Sequence, residues 1–138
     1  MAIKIISTRN FTKPLKVTIQ SSGKLGFTHD TAEILKLESG KLIQFGRDDD
    51  KNEMYLILTR DTPEDAFAVA KAGDYFYLPT TLMFDALGYN YRKFTYFFDL
   101  VRRDDLDEQL RGEVYYMKER NNVKKVKSID NAIDESES

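Results

Sequence analysis

Apolar and polar residues alternate with a period of two in several short runs of this chain, the signature of half-buried strands. Val17-Thr18-Ile19-Gln20 is one such run, and Phe67-Ala68-Val69-Ala70 stands 50 positions further on. Each is followed by a break, Ser21-Ser22-Gly23 or Lys71-Ala72-Gly73. A second short strand then follows, Gly23-Lys24-Leu25-Gly26-Phe27 in the first case and Gly73-Asp74-Tyr75-Phe76-Tyr77 in the second. A helical segment comes next in both. In the first, Thr28 or Asp30 caps a helix running to about Lys36, with Ala32, Leu35 and Ile34 facing inward. In the second, Pro79 suits the first turn, Thr80 or Thr81 helps to cap it, Leu82, Phe84, Ala86 and Leu87 supply the apolar side, and Gly88 ends it. Helices of two to three turns are marginal alone, so both must gain stability by docking on strands.

Two further strands close each half. The first half has Lys41 to Arg47 and Glu53 to Arg60, joined by the polar turn Asp48-Asp49-Asp50-Lys51-Asn52. The second has Lys93 to Val101 and Glu113 to Glu119, joined by the charged insert Arg102 to Gly112. The pattern therefore predicts an internal repeat of strand–strand–helix–strand–strand units over about 15–60 and 65–120. One such unit leaves strand edges and an apolar face uncovered, whereas two can cover each other. The fold class expected is mainly β with two short helices (α+β), a pseudo-symmetric pair of ββαββ units in one barrel-like domain over residues 1–120. Residues 121–138 turn polar, end in Asp-Glu-Ser-Glu-Ser and read as a disordered charged tail.

Composition fits one core rather than two. The chain has 138 residues and a modest 41% of hydrophobic ones, but eight Tyr and nine Phe bring large buried areas each. No cysteine is present, which excludes disulfides and thiolate metal sites and suits a reducing compartment. The N-terminal run lacks the length and cleavage site of a secretory signal, and no apolar stretch reaches the ~20 residues that cross a bilayer. A cytoplasmic location is the default expectation. Net charge is −2 but unevenly spread. Met1 to His29 holds five basic residues and no acid, Asp61 to Met117 holds 11 acids against six bases, and Lys118 to Lys127 is basic again.

The first half resembles the SpoVT/AbrB-type swapped-hairpin domain of transition-state regulators and antitoxins. The resemblance runs through Val17 to Phe27, then Leu35-Lys36-Leu37, then Gly40-Lys41-Leu42-Ile43, with the spacings from Gly23 to Leu35 and to Gly40 that the family uses. Thr28 stands where the family usually has Pro, and Lys36 where it usually has Gly. The second half supplies the converse, Leu78-Pro79 and Leu87-Gly88, but has no counterpart of Gly40. Two fused copies resemble the MraZ-type arrangement, in which one chain does what a homodimer does elsewhere; a double-psi barrel is the structural alternative. The resemblance implies a non-enzymatic DNA-binding protein, a transcriptional regulator or accessory factor, working as a monomeric pseudo-dimer or as a homodimer. DNA contacts are implied for basic residues on the first strands and the adjoining loops. Here these are Lys13, Lys16 and Lys24, with Arg9 in the leading arm. The acid-free segment Met1 to His29 has four Lys against one Arg, which favours phosphate contact over base reading. The alternatives are a protein-interaction module on the same scaffold, and a small-ligand-binding double-psi barrel.

Little else in the chain points to chemistry. His29 is the lone histidine, at a helix start where a structural or exposed role is the usual one. No Ser lies in a nucleophile elbow, and no glycine-rich phosphate loop is present. Asp48-Asp49-Asp50 and Asp104-Asp105-Leu106-Asp107-Glu108 lack the ligand spacing of a calcium loop and read as solvated turns. No catalytic residue, metal or cofactor is expected. Tyr75, Tyr77 and Tyr96 are candidate stacking surfaces for single strands, although alternate rings of such strands must serve the core.

Overall fold

The computed structural model describes residues 2–5, 15–61 and 63–120, together with the backbone of 124–125. Arg9, Lys13 and the remainder of the 121–138 tail lie outside the described residues. The first half runs β1 (Leu15–Ile19), β2 (Leu25–Phe27), α1 (His29–Ile34), β3 (Leu42–Asp48) and β4 (Glu53–Thr59). Next come β5 (Phe67–Ala68), β6 (Ala70–Ala72), β7 (Tyr75–Leu78), α2 (Thr81–Ala86) and β8 (Phe94–Arg102). A 3-10 turn at Asp104–Leu106 leads into α3 (Asp107–Leu110), followed by β9 (Gly112–Glu119) and β10 (Lys124–Lys125). The molecule is mainly β, and its strands form a nearly closed antiparallel barrel.

The order around the sheet is β5-β3-β4-β9-β8-β1-β2-β7-β6, with β10 added on β8. Consecutive hairpins do not lie side by side. The β1–β2 hairpin is flanked by β8 on one edge and β7 on the other, and the β3–β4 hairpin by β5 and β9. The stretch 67–72 bridges the two ends of this order, because β5 pairs with β3 while β6 pairs with β7. Between them, the Val69 N–H donates to the Lys41 carbonyl and the Val69 carbonyl accepts from Gly40 N–H, both at 2.8 Å. Edges that would otherwise offer unpaired backbone are thereby consumed.

Alternation decides which side chains fill the barrel. Val17 and Ile19 from β1, Leu25 and Phe27 from β2, Ile43 from β3, Leu56 and Leu58 from β4, Leu78 from β7, Phe98 and Leu100 from β8 and Tyr115 and Met117 from β9 form its core. The helices plug this core from outside the strands. Ala32, Leu35 and Phe84 are buried, as the helical pattern predicts. Three expected inward residues are not. Ile34 is 47% and Leu82 82% exposed, and Ala86 is also exposed. A two-turn helix touches the barrel along one narrow stripe, so the rest of its apolar residues remain in solvent.

Among the described residues the helices number three, where the sequence pattern predicts two. The Arg102 to Gly112 insert, read from sequence as a charged connection, folds into the 3-10 turn and α3. Its Leu106 and Leu110 pack on Tyr55, Ile57 and Val114, a second small cluster on the outer side of β4 and β9. Polar contacts within and beside the insert fasten it there. Arg102 grips Asp107 with two hydrogen bonds of 2.7 and 2.6 Å, and Asp107 also accepts from Val114 N–H. Those bonds hold the Asp107 carboxyl below its ordinary range, the Arg102 hydrogen bonds being the largest cause. No described helix is long and apolar enough to cross a membrane.

Candidate nucleic-acid interface

Lys16 and Lys24 both belong to the β1–β2 hairpin, and three threonines fix that hairpin at its two ends. Thr31, fully buried on α1, accepts a 2.7 Å hydrogen bond from the Lys16 N–H and a second from the Thr28 hydroxyl. The Thr28 hydroxyl in turn caps α1 by accepting from Thr31 N–H, as expected of one of its two candidate caps. At the far end, the buried Thr80 hydroxyl donates to the Gly23 carbonyl at 3.0 Å, and Thr81 donates to the Ser22 carbonyl at 2.8 Å. Thr80 therefore stands at the N-cap of α2 but spends its hydroxyl on the hairpin instead of on the helix. Gly23 is required in this arrangement. Its φ is +87°, and a Cβ there would lie 2.8 Å from the Tyr91 ring and 3.0 Å from Thr81.

Because Val17 and Ile19 point into the barrel, Lys16 and Thr18 point out, and Gly26 does the same on β2. Register then sets two rows across the outer surface. Tyr77, Gly26, Thr18 and Phe97 face one another in succession across β7, β2, β1 and β8. Lys16, Asp99 and Lys118 do so across β1, β8 and β9. With strands ~4.8 Å apart, Lys16 and Lys118 are separated by about 10 Å. Asp99 between them is taken by Arg120, whose guanidinium approaches at 3.1 and 3.2 Å. Among the described residues neither lysine has an ion-pair partner. Lys118 is exposed and Lys16 half-buried.

Lys24 lies at the hairpin's other end, about 13 Å along the strand direction at ~3.3 Å per residue. Its ammonium stands 4.7 Å from the centre of the Tyr77 ring, a cation–π contact that holds the charge on the same outer surface. Tyr75 stacks beside Tyr77 with centroids 6.2 Å apart and passes directly over Gly26. Its hydroxyl is buried there without a hydrogen-bond partner, and burial raises its pKa. Tyr96 differs: it packs edge-on against Tyr89 at 5.0 Å on the core side. Of the three tyrosines singled out from sequence, Tyr75 and Tyr77 face outward and Tyr96 inward.

Two residues that sequence reasoning did not assign, Lys118 and Arg120, thus join Lys16. The basic stretch beginning at Lys118 is visible in the charge distribution, but nothing local indicates that β8 carries it beside β1. The first acidic run behaves as a turn, whereas the second, read from sequence as a solvated turn, forms the 3-10 turn and the start of α3. Asp48 accepts from the Asp50 and Lys51 N–H groups, Asp49 pairs with Arg47, and Asp105 pairs with Arg103. No three carboxylate or imidazole side chains among the described residues converge to hold a metal ion. His29 is exposed at the first residue of α1. In comparisons with known proteins, no family model, no curated protein and no solved structure matches this chain.

Proposed function

We propose that the chain is a non-enzymatic, AbrB-like DNA-binding protein that engages duplex phosphates through the outer surface of β1, β8 and β9. The observation that carries this reading is the register Lys16–Asp99–Lys118, which sets two lysines in one row across the outer surface with the carboxylate between them already paired with Arg120. Uncompensated cations on an extended strand surface release counterions from a polyanion and bind it in a salt-dependent way. Lys24 extends the track along the hairpin.

The swapped-hairpin part of the reading draws on the exchange of partners. Each hairpin of one half pairs along both edges with strands of the other half, as two interleaved ββαββ units would. Backbone geometry adds a second line of support. Lys36, at the position where the AbrB pattern carries Gly, has a φ of +55°, and Gly88 ends α2 with a φ of +87°. Both are the left-handed helix stop that favours glycine.

Fluorescence anisotropy with a mixed-sequence duplex at two salt concentrations tests the proposal. Binding at low salt that weakens as salt rises, with a log–log slope of about −3 for three phosphate contacts, is expected. No binding at low salt, or binding insensitive to salt, would sink it.

A further inference from the structure

The seam of the barrel leaves one strand edge unfinished. Residues 67–72 hold the two ends of the sheet together, Phe67 to Val69 bonding toward β3 and the residues before it, and β6 toward β7. The turn between β6 and β7 has two residues, Gly73 and Asp74, and Gly73 takes a φ of +62°. In such a turn Ala72 and Tyr75 exchange both of their backbone hydrogen bonds, and Ala70 and Tyr77 do the same two residues on. The N–H and C=O of Lys71 therefore point away from β7. On that side the pairing stops at Val69 with Gly40 and Lys41, and among the described residues no hydrogen bond reaches the Lys71 backbone.

This free edge borders an open cleft of about 360 Å³ between the β6–β7 hairpin and α1. Half-buried Phe76 supplies its apolar wall, with Ala32 and Leu37 at the floor. The rim is mixed, since Glu33 and Asp74 are offset by Lys36 and Lys71, with His29 beside them. Such a rim selects neither a polyanion nor a strong cation, whereas unpaired backbone groups beside an apolar wall suit an extended apolar segment. The N-terminal stretch of this chain has that character. Ile3 and Ile5 alternate around Lys4 with the period of a strand, and they are 82% and 87% exposed, so the chain's own body does not cover them.

We propose that the cleft receives the stretch around Ile3 and Ile5 from a second copy of this chain, added as an antiparallel strand to the free edge of β6. Residues opposite each other in such a pair share a face. An isoleucine opposite Lys71 therefore turns toward Phe76, as Lys71 itself does with its ammonium 5.4 Å from the ring centre. The other isoleucine, two residues along, lies on the same side. Each copy has one arm and one cleft, so the exchange is reciprocal and closes as a two-fold dimer. Because β6 is three residues long, the contact is small and the dimer forms and dissociates with concentration. The cleft is separate from the outer surface of Lys16 and Lys118, and the inference stands whether or not that surface binds DNA.

Sedimentation velocity of the full chain over a wide concentration range tests this. The wild type is expected to shift from monomer to dimer as concentration rises, and Ile3→Ser with Ile5→Ser to weaken that dimer at least tenfold. Lys71→Pro removes the outward donor at an edge position that tolerates proline, and it is expected to weaken the dimer as much. Leu82→Ser, on an equally exposed apolar residue of α2, should leave it unchanged. Mixing the isoleucine variant with Lys71→Pro brings an intact cleft to an intact arm, so the mixture should associate more tightly than either protein alone. In the wild type, the Lys71 amide should exchange with solvent more slowly as concentration rises; should Lys71→Pro melt below the wild type, this measurement replaces it. A chain monomeric at every concentration, a dimer that survives loss of both isoleucines, a mixture of folded variants no tighter than its components, or a Lys71 amide whose exchange ignores concentration would each overturn the proposal.

Discussion

Two outer surfaces of the same barrel have opposite fates. On β4 and β9, the outward residues Tyr55, Ile57 and Val114 are apolar, and the Arg102–Gly112 insert covers them with Leu106 and Leu110. On β1, β2 and β8 the outward residues are Lys16, Thr18, Gly26 and Asp99 together with the exposed Phe97 and Val101, and no described element packs over the Lys16–Asp99–Lys118 row. The first surface is a second small core that happens to lie outside the barrel. The second has been left in solvent, with its lysines and two apolar side chains exposed beside a hairpin tied down by threonine hydrogen bonds. Burial stabilises the one, whereas the other contributes little to stability and keeps its lysines in solvent. A function is best sought where the fold spends threonine hydroxyls on positioning a hairpin but covers nothing.

Glycine substitutions probe this contrast most strongly. At Gly112 a Cβ would lie 2.4 Å from the Leu58 carbonyl oxygen and 2.8 Å from Ile57 Cγ2, so the backbone of the clad side would have to move. Gly112→Ala is expected to cost about 3 kcal/mol in urea denaturation. At Gly26 a Cβ meets the Tyr75 hydroxyl, the far end of a side chain that can swing into solvent. Gly26→Ala is expected to cost about 1 kcal/mol or less. Equal costs would remove the distinction between a packed surface and an open one.

The clamp on the insert gives a smaller effect with a definite pH dependence. Asp107→Asn is expected to lower the melting temperature at pH 7 by several degrees. The sign follows from the depressed native pKa of Asp107: its contribution is present above the unfolded-state pKa and is lost as pH falls through the native one. The gap between wild type and variant should therefore close in acid, as seen in melting curves from pH 7 down to pH 2. A gap that persists unchanged in acid would assign the loss to something other than the ionised carboxylate.

On the open side, Thr80→Val deprives the Gly23 carbonyl of its buried donor. A cost of about 1–2 kcal/mol is expected by denaturation. The more telling readout is hydrogen exchange, which should accelerate in Ser22 to Lys24 and leave β4 and β9 unchanged.

Much of this fold is legible along the chain, because half-buried strands keep a period of two and turns carry Gly or Asp. The strands over 42–48, 53–59 and 94–102 stand within a residue or so of the positions read from that alternation, and Gly88 ends α2 where expected. What escapes the sequence is whatever depends on distant partners. The third helix is held in place because Leu106 and Leu110 find Tyr55 and Ile57 on the distant β4, and a charged stretch alone does not announce that. Likewise Ile34 and Leu82 have helical spacing but face solvent, since a short helix on a curved barrel buries a single stripe. The candidate surface is legible by half. Lys16 and Lys24 stand out as basic residues on an acid-free hairpin, but Lys118 and Arg120 join them solely through the non-local pairing of β8 with both β1 and β9.

The central claim is that the uncovered surface carries the binding, and charge reversal tests it most directly. Anisotropy with a mixed-sequence duplex should be measured at low salt for wild type, for Lys16→Glu with Lys118→Glu, and for Lys51→Glu in the exposed β3–β4 turn. The double variant is expected to weaken binding at least tenfold and to reduce the salt slope by about 2, roughly one unit per lost phosphate contact. Lys51→Glu should change affinity by less than about twofold. Equal losses in the two proteins, or a double variant that binds as wild type does, would contradict the account.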